Sequence, residues 1–183
     1  MAAADFFTVE VWTPRGLVTY YVLFVMRLET RSVHIAGVTT APNGAFMQQV
    51  ARNLIDVDDG FLLNSRYLMD RVTKYTDAFR GHLDREGVKP VRRPARAPNC
   101  NAFAELFVRS IKDECLARMI LFGEASLRRA LREYDSHYHI ERNHQGVGNR
   151  LLKPVDRICS TNDPIRCRER LGGLLNFYYR QAA

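Results

Sequence analysis

Paired cysteines, a leader and a long apolar run are all missing from these 183 residues. The four cysteines, Cys100, Cys115, Cys159 and Cys167, form no CxxC pair, which excludes the usual paired-thiol zinc and redox motifs and reads as reduced thiols in a cytoplasmic protein. Nothing at the start resembles a signal peptide. The longest apolar run, residues 17–26, is about half of the roughly 20 residues that a bilayer span requires. Internal repeats and low-complexity tracts are lacking too, so the chain is not a solenoid or an array.

What is present is the makings of one globular unit with a tail: 46% of residues are hydrophobic and 10% aromatic, enough for a proper core. Lys and Arg number 27 against 20 Asp and Glu, a net charge of +7. That balance favours a polyanionic partner but is equally compatible with simple solubility.

Read in order, DFFTVEVW from Asp5 alternates Asp5, Phe7, Val9 and Val11 against Phe6, Thr8, Glu10 and Trp12, the period of a strand whose more apolar face begins with Asp5. After the turn TPRG, GLVTYYVLFVMRL is almost continuously apolar, as a strand covered on both faces should be. SVHIAGVTT supplies a third strand, completing an antiparallel meander. Pro42, Asn43 and Gly44 then open a helix with Phe46, Val50 and Leu54 on one side. Tyr67, Leu68 and Met69 form a short apolar strand that stops at Asp70. A second helix runs through Ala78, Phe79 and Leu83 to Gly87, and residues 88–91 make a short strand.

The passage PVRRPARAPN, with three prolines and three arginines, is a basic loop. Asn99 or Asn101 can cap the next helix, in which Phe103, Leu106, Phe107 and Ile111 form the expected apolar stripe and Glu105, Arg109 and Lys112 a polar side. A further helix spans about 124–142. The order βββαβαβαα predicts an α/β fold, a five-stranded mixed sheet flanked by helices. Residues 1–154 form the core unit and 155–183 a C-terminal tail, either a short helix or loose chain.

Three acids stand out: Asp5 on the first strand, Asp70 at a strand end, and Glu105 on a helix 35 residues later. Carboxylates from distant segments are what a two-metal phosphoryl-transfer site needs, because each Mg²⁺ takes one or two of them and leaves its remaining positions to water and phosphate. Taken singly, each aspartate reads as an ordinary strand-end residue; the three together carry the functional reading.

On Asp5 in DFFTVE, Asp70 with Tyr75 five residues on, PNCNAFAELF around Glu105, Lys112 seven residues past it, and ERNHQG followed by Pro154, the chain resembles the catalytic core of DDE transposases and retroviral-type integrases, bacterial insertion-sequence transposases in particular. The resemblance covers roughly residues 5–154. It implies a ribonuclease H-like fold and a DNA transposase or integrase core that cleaves DNA and transfers strands. By the same resemblance Asp5, Asp70 and Glu105 hold two Mg²⁺ or Mn²⁺ ions, with neither a covalent intermediate nor ATP. The implied partner is DNA, both transposon ends and target, synapsed by a homo-oligomer and associated with the nucleoid. Lys112 and Arg109, on the helix with Glu105, are expected to contact the DNA backbone, as are Arg92, Arg93 and Arg96 of the basic loop. Asn101 either caps the helix or faces the substrate.

His137, His139 and His144 invite a zinc reading, but no cysteine pair lies at ligand spacing. Their plain alternative is the surface and cap of a terminal helix, and by resemblance the segment is a packing and DNA-contacting one. The sequence departs from the family pattern in places. Arg27 stands where an acid is usual at the end of the second strand, and MDRVTKY stands where HDRDGKF is expected, so Met69 and Val72 replace polar neighbours of Asp70. With only four residues before Asp5, the expectation is also a core without an end-recognising domain. Two rival functions therefore accompany the first: an inactive or truncated DNA-binding remnant, and a nuclease of the same fold.

Overall fold

The structure, a computed structural model, describes residues 1–63, 65–70, 76–92, 102–153 and 164–180, with the backbone alone at Asp70 and Arg92. Five strands form one mixed sheet in the order β3-β2-β1-β4-β5, comprising β1 (Ala2–Thr13), β2 (Gly16–Arg27), β3 (Val33–Thr39), β4 (Tyr67–Asp70) and β5 (Lys89–Arg92). The first three are antiparallel; β4 and β5 run parallel to β1. The connections that make them parallel carry α1 (Gly44–Leu54) and α2 (Asp77–Arg85). The ribonuclease H-like, five-stranded mixed sheet expected from the sequence is the one found.

Period-two alternation divides the core between the two sheet faces. Phe7, Val9 and Val11 of β1 with Val22, Phe24 and Met26 of β2 face α3 (Ala102–Glu114) and α4 (Gly123–Ile140). Ala2, Ala4, Leu23 and Val25 face α1 and α2, where Met47, Val50, Leu54, Phe79 and Leu83 meet them. This is why 22–26 is apolar without interruption: every residue there lies under a helix on one side or the other. At Gly37 of β3 an added Cβ would stand 2.7 Å from the Phe46 ring, so α1 crosses β3 where only glycine fits.

Both helices on the α1 side begin with side-chain caps. Asn43 accepts from the Phe46 N–H at 3.0 Å and Thr76 from the Phe79 N–H at 3.2 Å, each satisfying a donor left open at a helix start.

Three expectations change. The first strand begins at Ala2, three residues before Asp5, because Ala2, Ala3 and Ala4 pair with Arg27, Met26 and Val25. The apolar stripe of α3 is Ala104, Phe107 and Ile111, while Phe103 and Leu106 are 40% and 56% exposed. The C-terminal piece is neither helix nor loose tail: β6 (Ile165–Arg170) and β7 (Leu175–Arg180) form an antiparallel hairpin, turned by Leu171, Gly172 and Gly173, all at positive φ.

The hairpin is fastened to α4 by charge. Glu141, whose side chain is fully enclosed, accepts from Arg170 at 2.8 and 2.7 Å and from Arg168 at 3.2 Å, and Arg170 also reaches Glu133 at 2.8 Å. Burial opposes ionisation of Glu141, but the Arg170 and Arg168 hydrogen bonds outweigh it and hold the carboxyl below its ordinary range.

Candidate active site

The sheet brings the first two acids to neighbouring positions. β1 and β4 pair in parallel with Ala2 opposite Leu68 and Ala3 opposite Met69. Asp70 is the next residue along β4 and Asp5 lies two residues beyond Ala3 on β1, so the two backbone positions are on adjacent strands close to a shared register. Asp5 is half-buried and its Oδ1 accepts the Phe6 N–H at 2.8 Å. The side chain of Asp70 lies outside what the structure describes.

Glu105 reaches the same end of the molecule through packing. Asp5 is opposite Phe24 in the β1–β2 register. The Phe24 ring lies 4.9 Å from that of Phe107, two residues past Glu105 on α3. Ala104, Phe107 and Ile111 lock the helix to the sheet, which leaves Glu105 exposed in the first turn, where the helix dipole favours a carboxylate. All three candidate ligands carry oxygen donors, the set that suits Mg²⁺ or Mn²⁺. Among the described residues no cluster of three His, Cys, Asp or Glu is placed to hold a metal.

Lys112, two turns on from Glu105, makes no ion pair with a described residue. Arg109 pairs with Asp113 at 3.5 Å across an exposed face, an interaction weak enough to yield to phosphate. Arg92 is placed by its backbone at the end of β5, opposite Asp70. Arg93, Arg96, Asn99, Asn101, Tyr75 and Val72 lie outside the described residues.

Of the two readings of the three histidines, surface cap or packing segment, burial favours packing. His139 Nε2 accepts the Val33 N–H at 3.0 Å, which fixes the proton on Nδ1, facing the Asp135 carbonyl at 2.8 Å. His144 Nε2 donates to the Tyr138 carbonyl at 2.7 Å, and burial pushes its pKa down. His137 Nδ1 faces the enclosed Glu141 carboxylate at 3.2 Å. These contacts account for the segment as packing and leave no open set for zinc.

Two pairings were missed from the sequence. Arg142 forks onto Glu114 at 2.7 and 3.0 Å, and the Tyr134 hydroxyl donates to the same carboxylate at 3.2 Å. Burial, together with Glu114, pushes the Tyr134 hydroxyl far above its ordinary range and Cys115 up to about 11. Arg27, where the family pattern places an acid, donates to the Phe61 carbonyl at 2.8 Å and lies over the Phe61 ring, so it fastens the segment after α1 to the sheet. Met69 is buried between Ala3 and Val91 on the neighbouring strands.

Residues 86–151 match the family model of the integrase core domain; that stretch contains Glu105, Arg109 and Lys112 but neither Asp5 nor Asp70. No curated protein matches the sequence. Among solved structures, a chain of the simian T-cell lymphotropic virus intasome, determined by cryo-electron microscopy in complex with the PP2A regulatory subunit B56 gamma, superposes with a TM-score of 0.55 at 11% identity, over 98% of this chain and 67% of that one. The strand order and flanking helices thus agree in fold with a chain of a retroviral intasome structure, and residues 86–151 carry the match to an integrase core domain.

Proposed function

We propose that this chain is the catalytic core of a DNA transposase or integrase that cleaves DNA and joins strands with the help of divalent metal. The observation that carries the proposal is the β1–β4 register, which by its continuation brings the Asp70 backbone level with Ala4, one residue from Asp5 on the neighbouring strand, in the sheet whose covering helix bears Glu105. Three carboxylates from three separate elements are suited to hold two Mg²⁺ or Mn²⁺ ions. When bound, these supply charge neutralisation at phosphorus and a nucleophile at neutral pH.

The chain's own residues do the positioning. Phe107 and Ile111 hold α3 against the sheet, so Glu105 is presented from a fixed helix. Lys112 and Arg109 line the same side of α3 and carry the DNA backbone past the acids; Arg92, Arg93, Arg96 and Asn101 extend that track along the basic segment. Such contacts position DNA without reading its sequence. Joining two ends calls for a homo-oligomer, and the DNA substrate places the protein at the nucleoid.

The test incubates the purified chain with Mg²⁺ or Mn²⁺ and a labelled duplex, beside Glu105→Gln. Nicked or joined products with the wild type alone support the proposal. Equal, intact DNA in both lanes with binding retained favours the inactive DNA-binding remnant, the reading to which buried Met69 beside Asp70 lends weight. Hydrolysis with no joined product identifies a nuclease instead.

A further inference from the structure

α1 and α2 pack side by side on the sheet face opposite α3, and a cleft of about 460 Å³ lies between them. Its lining is Gln48 and Arg52 of α1 with Ala78, Gly81, His82 and Arg85 of α2. These recur at i, i+4 on α1 and at i, i+3, i+4, i+7 on α2, so each helix gives the cleft one continuous face.

The charge of this lining is one-sided. Two guanidiniums and an imidazole meet there and no carboxylate does, although α2 also carries Asp77, engaged by Arg80 at 3.6 Å, and Asp84. Arg52 donates to the Gln49 side-chain oxygen at 2.6 Å and Arg85 to the Gly81 carbonyl at 3.0 Å; among the described residues neither has an acidic partner. Each guanidinium carries five donors, so most of them remain open. A cation in a last helical turn suits the helix dipole, which accounts for each arginine taken singly. It does not account for both in one concavity, where like charges repel.

Gly81 is a second signal. It is exposed in the interior of α2, where glycine weakens a helix, and an added Cβ would meet nothing within 4 Å. Packing therefore does not ask for glycine here. What its bare backbone does is keep the floor of the cleft open beside Arg85.

We infer that this cleft is a second DNA-binding surface, in which Arg52, Arg85 and His82 hold backbone phosphates of a duplex segment other than the one passing Glu105. Guanidinium forks match phosphate oxygens, and Gln48 adds an uncharged donor. The segment is a different one because α3, with Arg109 and Lys112, covers the far side of the sheet. With a helix layer of about 10 Å on each face, a straight duplex lying along one cannot touch the other. A reaction that joins two DNAs has a use for two such surfaces.

The inference rests on the DNA strand-transfer reading, and its test separates the two. A labelled blunt duplex is titrated with the full chain by anisotropy over a salt series without metal, beside Arg52→Gln/Arg85→Gln and Gly81→Glu. The double variant should bind about tenfold more weakly at about 0.1 M salt, with a salt slope lower by about two, and keep the wild-type Tm. Gly81→Glu, which sets a carboxylate on the cleft floor, should weaken binding as much without lowering Tm. Wild type saturated with a duplex on beads should capture a second, labelled duplex, and the double variant should not. Variants that bind and capture as the wild type does overturn the inference and leave the strand-transfer reading standing. So does a wild type whose Tm rises with inorganic phosphate through these arginines while its DNA affinity ignores them, since the anion is then a free one. A wild type that binds no DNA overturns both.

Discussion

Glu105 and Glu141 both belong to the layer of helices that covers one face of the sheet, and they occupy opposite circumstances. Glu141 has no exposed side-chain surface and is saturated by Arg168, Arg170 and His137. Glu105 stands exposed on the first turn of α3, near the sheet end where Asp5 and Asp70 sit on neighbouring strands. A carboxylate enclosed by arginines is a fastening, because its lone pairs and its charge are already answered inside the protein. An exposed one on a first helical turn is open to solvent, and under the proposed function it is there that a metal would be held.

The sharpest break of this comparison is by paired substitution. Glu105→Gln should lower DNA cleavage by on the order of 10³-fold, the loss of several kcal/mol of charge stabilisation, while changing unfolding free energy by no more than about 0.5 kcal/mol. Glu141→Ala should do the reverse in the stability column. Stranding Arg170, itself mostly buried, should cost about 3 kcal/mol in urea unfolding, and the hairpin should become protease-sensitive first. A Glu141→Ala protein as stable as the wild type would remove the distinction.

Acid should expose the fastened region in two stages. Burial lowers the pKa of His144 in the folded chain, so its neutral form favours folding. That contribution is complete above the ordinary histidine value of about 6.5 and is lost as pH falls below it. Glu141, held below its usual range by Arg170 and Arg168 against the opposing effect of burial, contributes above the ordinary carboxylate value of about 4.3 and loses that contribution as pH falls further. Urea midpoints measured from pH 8 down to 3 should therefore decline in both intervals. A midpoint that rose between pH 7 and 5.5 would contradict the assignment of His144. The smallest effect belongs to the exposed flank of α3: Lys112→Ala should weaken DNA binding modestly and reduce the salt slope by about one ion.

The sheet and its helices were legible because each rests on a local period. Alternation marked β1, and unbroken apolarity across 22–26 marked a strand covered twice. Asn43 and Gly87 bounded helices through side-chain and backbone preferences that need no knowledge of the rest of the fold. Where a partner comes from far along the chain, the pattern fell short. Phe103 looks like core by spacing, but α3 leans on the sheet through the smaller Ala104 and leaves the phenylalanine to Arg31. Three histidines in a polar segment left surface and packing both open, and what decides is the backbone group or carboxylate that folding brings to each. The hairpin had its signals, arginines at alternate positions 166, 168 and 170 and a Gly-Gly pair before NFYYR, but they were outweighed by the short apolar content of the tail. Of the candidate site, residue types and order could be read from sequence. The β1–β4 register that puts Asp5 and the Asp70 backbone on neighbouring strands could not, since it depends on the long crossover from β3 through α1 to β4 closing correctly.

One contact of the fastened region reaches the outermost strand of the sheet. β3 lies at the edge, and the N–H of Val33, its first residue, is taken by the His139 ring. An open donor at the end of an edge strand is a place where another chain can begin to pair. The imidazole occupies that place as a strand's carbonyl would, so the helix protects the sheet against unwanted extension at this corner. His139→Leu would keep much of the bulk and remove the acceptor, exposing a liability expressed in concentration-dependent aggregation rather than in catalysis.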